Sequence, residues 1–237
     1  MSPAIAIMQP YLFPYLPYLA LIYNSVEFVF YDDVNYIKSG GINRNRIVVN
    51  GGVQYFSVPL SQASSFRQIR DIETFKFAQF RRKFLATLSQ NYASAPYRER
   101  GMEYADLVLS SHVGYVAPLA ARSVMAACEI LDLRTNFAHS SADYSCSGNV
   151  SGTDRVLEIV KNSGKDAYLN PYGGKALYSA QLFRDNGIEL RFLDPDVQAN
   201  VTPTDRDPGK LSVLHDFFMF PLEELKTRIR RYRVIRP

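Results

Sequence analysis

Ile5-Ala6-Ile7-Met8-Gln9-Pro10-Tyr11-Leu12-Phe13-Pro14-Tyr15-Leu16-Pro17-Tyr18-Leu19, followed by an apolar run that ends in Tyr31-Asp32-Asp33-Val34-Asn35-Tyr36-Ile37-Lys38, decides the fold class. Residues 4–8 read as a strand, 11–23 as a helix opened by prolines, and 27–31 as a second strand, which is a β-α-β start. Polar groups gathered where buried strands end are how α/β proteins usually build a site. Two adjacent carboxylates, Asp32 and Asp33, stand at such an end and are soon answered by Lys38, Arg44 and Arg46.

Working outward, Ile47-Val48-Val49 and Val53 to Val58 form a hairpin around Asn50-Gly51-Gly52, whose glycines allow the positive φ of a tight turn. The hairpin is expected to extend the sheet. From 76 to 131 the period is helical, with Phe77, Phe80, Phe84 and Leu88 on one segment and Leu119, Ser123, Ala126 and Leu131 on another. This block reads as an inserted or covering helical layer. A short strand then ends in His139-Ser140-Ser141. A helix opens at Thr153-Asp154-Arg155, with Ser151 or Thr153 as N-cap and Gly164 as its stop. Ala167 to Leu169 is a strand that leads through Gly173-Gly174-Lys175 into a helix ended by Gly187, and 188–193 is the last strand. Residues 195–209 read as a surface loop and 210–237 as a helical tail. The expectation is one α/β domain over 1–237, with a mostly parallel sheet, flanking helices, a β-hairpin near the N-terminus and a helical insertion.

At 237 residues the chain can bury a continuous core without disulfides or metal. No apolar run reaches the roughly 18 residues of a membrane helix, and the start lacks a basic leader, so a soluble cytoplasmic protein is expected, without membrane insertion. The two cysteines, Cys128 and Cys146, argue against a disulfide framework, and Cys128 lies on a buried helical stripe. The net charge of +4, concentrated in part between Lys226 and Arg233, suits an anionic ligand such as a nucleotide sugar and argues only weakly for nucleic acid, with no DNA partner expected. His139 ends a strand, His112 and His215 are placed in helical regions, and no two have metal-ligand spacing, so no metal site is expected. A Cys146 and His139 nucleophilic pair has no local cysteine motif behind it.

Each candidate has a chemical and a structural role. Asp32 and Asp33 repel as neighbours, so one would titrate high enough to act as base while the other holds a sugar hydroxyl or a metal; otherwise they order the hairpin through Arg44, Arg46 or Lys38. Asn43-Arg44-Asn45-Arg46 puts two guanidinium groups on one face of an extended segment, fit to clamp a pyrophosphate or carboxylate, or simply solvated. Thr153, Asp154 and Arg155 at a helix start offer an anion site or a cap, and Gly173 and Gly174 a phosphate-approaching turn or only a tight one. Gln9 would bind rather than catalyse. No histidine follows the first strand, which argues against nucleotidylyl-transfer chemistry there. Tyr11, Phe13, Tyr15 and Tyr18 read as core more than as a sugar platform.

Met8-Gln9-Pro10-Tyr11-Leu12-Phe13-Pro14-Tyr15, Tyr31 to Lys38, Asn43 to Ile47, Ser140-Ser141, Thr153-Asp154-Arg155 and Tyr168 to Gly174 together resemble the WbqC-like family, in order and over nearly the whole chain. That resemblance implies a place in bacterial O-antigen or other surface-polysaccharide biosynthesis. It also implies transfer of an aminoacyl group, glycyl for instance, or an acyl group to an amino sugar. Two alternatives stand beside it: a non-catalytic sugar-nucleotide binding or assembly protein, and a hydrolase or ligase on the same scaffold. A transferase of this kind has no tightly bound cofactor but needs an activated acyl donor, with aminoacyl-tRNA among the candidates, and a nucleotide-linked amino sugar as acceptor. Where the family reads Leu-Ser-x-x-Asp, this chain has Leu211-Ser212-Val213-Leu214-His215-Asp216, so either His215 replaces that acid or Asp216 has shifted by one.

Overall fold

The computed structural model describes residues 2–145, 150–194 and 211–237. In chain order the elements are β1 (Ala4–Met8), α1 (Leu16–Tyr23), β2 (Glu27–Phe30), the hairpin β3 (Arg44–Val49) and β4 (Gly52–Ser57), and the short strands β5 (Leu60–Ser61) and β6 (Glu73–Thr74). Three helices follow, α2 (Phe77–Asn91), α3 (Arg98–Ser110) and α4 (Val116–Leu131). Then come β7 (Asn136–His139), α5 (Ser140–Asp143), α6 (Gly152–Asn162), β8 (Ala167–Pro171), α7 (Ala180–Asp185), β9 (Glu189–Asp194), α8 (Val213–Met219), α9 (Leu222–Arg230) and β10 (Arg233–Ile235).

A six-stranded sheet runs β10-β9-β8-β1-β2-β7. Five of these strands are parallel to their neighbours, and β10 pairs antiparallel with β9. β1 is central, buried on both faces, and so reads as a continuous apolar run. Its residues alternate between two cores. Ala4 and Ala6 pack with Phe28, Phe30 and Leu169 against the side of α1, α3, α4, α8 and α9, whereas Ile5 and Ile7 pack with Val29, Tyr168 and Phe192 against α6 and α7. The α/β class with helices on both faces follows from this alternation.

Four details depart from the sequence expectations. First, α1 starts at Leu16, not at residue 11, because Phe13, which precedes Pro14, is pushed out of helical conformation. Phe13 adopts a φ of 45° and gives its N–H to Ser123 Oγ at 2.8 Å, so 11–15 is a buried turn. Pro17 sits in the first helical turn, where its missing N–H has no partner to lose. Second, the hairpin does not extend the main sheet but forms a sheet of its own. Side chains tie β3 to the body instead: Tyr92 Oη accepts from Val48 N at 3.2 Å, and Asn45 Nδ2 donates to the carbonyls of Leu12 at 3.2 Å and Phe13 at 2.7 Å. The turn itself is as expected, with Asn50 at φ 51° and Gly51 at φ 75°, the pair of positive values of a type I′ turn. Third, His112 lies in the turn after α3, its ring 3.6 Å from that of Phe77 and 2.7 Å from Thr74 Oγ1. Fourth, the tail is helical only through Arg230, and the chain returns as β10 on the β9 edge. The loop expected at 195–209 lies outside the described residues.

The helical layer over 77–131 packs α4 by Leu119, Ala120, Val124, Ala127, Cys128 and Leu131. Gly101 of α3 is fixed by contact, since a Cβ there would meet the Phe218 ring of α8 at 2.5 Å. Among the described residues no helix is long and apolar enough to cross a membrane.

Because Asn45 is buried and bridges two segments, Asn45→Ala strips a donor from buried carbonyls. A loss of about 1–3 kcal/mol is expected, read as a lower urea midpoint.

Candidate functional site

The chain runs outward from β1 through β2 to β7, then crosses back to place β8 on the other side of β1. Strand order therefore reverses between β1 and β8, and open α/β sheets bind ligands in the crevice beyond the carboxyl ends at such a point. Gln9 follows β1 at this end of the sheet, half-buried, and Asn170 near the end of β8 is 5% exposed. Gly174 packs so tightly against Asn170 that a Cβ would fall 2.0 Å from its Nδ2. Asp32 and Asp33 follow β2, and His139, Ser140 and Ser141 follow Phe137 and Ala138 of β7. The register Phe30↔His139 brings these two sets side by side.

Asp32 is 4% exposed and draws donors to both carboxylate oxygens. Oδ1 accepts from Ser141 N at 3.0 Å and Oδ2 from Ser141 Oγ at 3.0 Å, and His139 Nδ1 lies 3.0 Å from Oδ2. Burial pushes the carboxyl up, but the bonds from His139 and Ser141 outweigh it and hold Asp32 below its ordinary value. Its contribution to stability is thus in place above the ordinary carboxylate pKa and is lost as pH falls through the folded one. An ionised carboxylate only accepts, so Nδ1 of His139 carries the proton and Nε2 of the neutral ring carries the lone pair. The His139 side chain is 35% exposed, and its backbone N–H is held by Asp143 Oδ2 at 2.7 Å.

Asp33 has a different partner. Arg155 Nη2 donates to Asp33 Oδ2 at 2.8 Å and to the carbonyls of Ser140 at 3.0 Å and Tyr144 at 2.6 Å, and Nη1 donates to Glu158 Oε2 at 2.9 Å. Ser140 Oγ lies between the two acids, 2.6 Å from Asp33 Oδ1 and 3.1 Å from Asp32 Oδ1, and accepts the Asp32 N–H at 3.1 Å. One hydroxyl and one guanidinium thereby separate two adjacent negative charges.

The remaining sequence candidates fall apart spatially. Lys38 is exposed. Arg44 and Arg46 lie over the Tyr55 ring, 4.6 and 5.8 Å from its centroid, and the groups that answer the two acids are Arg155, His139 and the serines. Asn43 and Asn45 are framework: Asn43 accepts from Tyr36 Oη at 2.9 Å and donates to the Val58 carbonyl at 2.9 Å. Thr153 and Asp154 stand in the first turn of α6, whose N-cap Ser151 makes no side-chain cap bond, while Arg155 turns inward and is 2% exposed. Gly173 and Gly174 open a 3-10 turn over Tyr172–Leu177. Cys146 lies outside the described residues. Among the described residues, no group of three or more His, Cys, Asp or Glu is placed to hold a metal ion. His139 as the partner of Asp32 was not drawn from the sequence; its position at a strand end was the available signal.

The sequence profile of the WbqC-like protein family matches residues 9–206, which takes in both sides of this cluster. The chain belongs to the WbqC-like family. A relative, "Uncharacterized protein Rv1507c" of Mycobacterium tuberculosis (strain ATCC 25618 / H37Rv), is 26% identical over 193 residues, 81% of this chain and 82% of that one. No solved structure matches. Residues 211–216, beyond the matched span, lead into α8: Ser212 caps the helix, its Oγ accepting from Leu214 N at 3.1 Å and donating to the Phe13 carbonyl at 2.7 Å. His215 Nδ1 lies 2.9 Å from Tyr92 Oη. Burial pushes the Asp216 carboxyl up to about 7, opposed by Arg228 and reinforced by Glu224.

The folded chain therefore keeps the Asp216 proton to about pH 7, whereas the unfolded chain loses it near pH 4, so this group's contribution to stability declines as pH rises between those values. Asp216→Asn is expected to melt increasingly above the wild type across that window and to hold its advantage at higher pH. A pH series of melting temperatures checks it, and a constant offset would refute the assignment.

Proposed function

We propose that this protein transfers an acyl or aminoacyl group to the amine of an amino sugar, with His139 as general base and Asp32 as the carboxylate that positions it. The observation that carries this reading is the Asp32 Oδ2 to His139 Nδ1 contact of 3.0 Å, which leaves Nε2 as the ring's proton acceptor in a partly exposed position at the carboxyl end of the sheet. In the step, the amine nitrogen attacks the carbonyl carbon of the activated donor and passes a proton to His139 Nε2. The carbon–leaving-group bond breaks, and the leaving group departs with its electron pair. Asp32 fixes the tautomer and stabilises the imidazolium, a division of roles that recurs in base-assisted acyl transfer. The base assignment thus moves from the aspartates to the histidine.

Family resemblance supports a surface-polysaccharide amino sugar as acceptor, linked to a nucleotide. The switch-point crevice beside Gln9 and Asn170, with the glycine turn at 173–174, is the place such a ligand would take. A melting-temperature screen against nucleotide-linked amino sugars, followed by mass spectrometry for the amide after adding coenzyme A thioesters or aminoacyl-tRNA, tests it. The expected result is a rise with the sugar nucleotide and a product one acyl group heavier. A rise with no amide from any donor would make this a binding protein.

A further inference from the structure

A groove of about 540 Å³ lies between the β3–β4 hairpin and α2, apart from the Asp32 cluster. Its size is that of a pocket for a ligand or a short peptide. One wall is β4, from which four consecutive residues, 54–57, contribute, and the other is α2, with Phe80 and Phe84.

The two edges of the hairpin are treated differently. In the β3–β4 ladder the two-residue turn makes Val49↔Gly52 a hydrogen-bonded pair, and bonded and unbonded pairs then alternate. Outward backbone groups therefore belong to Arg44, Arg46 and Val48 on β3, and to Val53, Tyr55 and Ser57 on β4. On β3 three of them are met: Val48 N donates to Tyr92 Oη at 3.2 Å, Arg46 N to Asn45 Oδ1 at 2.9 Å, and Arg46 O accepts from Ser212 N at 2.9 Å. On β4, no residue among those described bonds to the outward groups of Val53, Tyr55 or Ser57. The strand carries neither charge nor proline, the usual devices that blunt an open edge.

Charge selects the occupant. Lys76 and Lys83 are the charged residues of the lining, no carboxylate faces them there, and neither forms an ion pair among the described residues. Pairing β4 with β4 of a second copy would bring these lysines together, which like charge disfavours. We propose that the outer edge of β4 receives an extended segment of a partner protein as a third strand, one whose α2-facing side chains, every second residue, combine acidic with apolar groups. Every second side chain of the added strand faces α2, the apolar ones on Phe80 and the acidic ones on Lys76 and Lys83.

The test uses fluorescein-labelled, amide-capped heptapeptides with serine at alternate positions and, at the positions between, valine with glutamate in one peptide and valine with lysine in the other, read by fluorescence anisotropy at low salt. The glutamate peptide is expected to bind about ten-fold tighter or better, and the Lys76→Glu, Lys83→Glu double variant to reverse the preference, since both lysines are exposed. Tyr55→Pro removes an outward N–H and is expected to abolish binding with the melting temperature retained. Methylating alternate backbone nitrogens of the peptide gives the same test on the unaltered protein and is expected to abolish binding too. Equal affinity for both peptides, binding that survives methylation, or no anisotropy change would each overturn the proposal. So would a dimer in sedimentation equilibrium that Tyr55→Pro dissociates, because a second copy would then occupy the edge.

Discussion

His139→Gln is expected to lower turnover by about 10²–10⁴, the usual range for losing a positioned general base, while the melting-temperature response to the acceptor sugar persists. Glutamine keeps a donor near Asp32 Oδ2, 3.0 Å from His139 Nδ1 in the wild type, so the carboxylate network is conserved and the proton acceptor is removed. Asp32→Asn tests the same arrangement from the other side. Its amide donates where a carboxylate accepts, which favours the wrong imidazole tautomer, and it leaves the donors of Ser141 poorly matched. Rate loss without loss of acceptor binding is expected for both. If His139→Gln turns over as fast as the wild type, His139 is not the base. If both variants lose binding and stability together, the cluster is a structural tie.

Much of the architecture was legible because it is local. A five-residue apolar strand, a proline-opened helix and a second strand are short-range patterns, and so are the Asn50-Gly51 turn and the α4 stripe carrying Cys128. The site was legible only in part, because its contacts are not local. His139 meets Asp32 across 107 positions through the β2–β7 register, which the sequence does not state. Lys38, Arg44 and Arg46 drew attention by closeness in sequence to the acids. The hairpin that carries the two arginines is a separate sheet, and its Tyr55 ring takes both guanidinium groups.

Arg155 was readable as one of three polar residues at a helix start, yet it shares the buried stripe of α6 with Val156, Ile159 and Val160. A guanidinium on such a stripe demands a buried carboxylate, and that was the available signal. Asp33 supplies it.

Arg155→Met is accordingly expected to destabilise the protein by roughly 3–5 kcal/mol, the range for breaking a buried pair by deleting one partner. The thioether fills most of the volume, so the cost falls on the groups left behind. These are Asp33, 14% exposed, and the carbonyls of Ser140 and Tyr144, each of which loses a charge-assisted donor. Adding Asp33→Asn to Arg155→Met removes the orphaned charge and is expected to recover part of the loss, whereas independent sites would give additive costs. Urea midpoints of the two single variants and the double variant provide that comparison. A double variant as unstable as the sum of the singles, or more so, would mean that Asp33 and Arg155 do not stabilise each other. Asp33 would then be held by the Ser140 hydroxyl, which reaches both acids but carries only one proton, while Asp32 keeps His139 and Ser141.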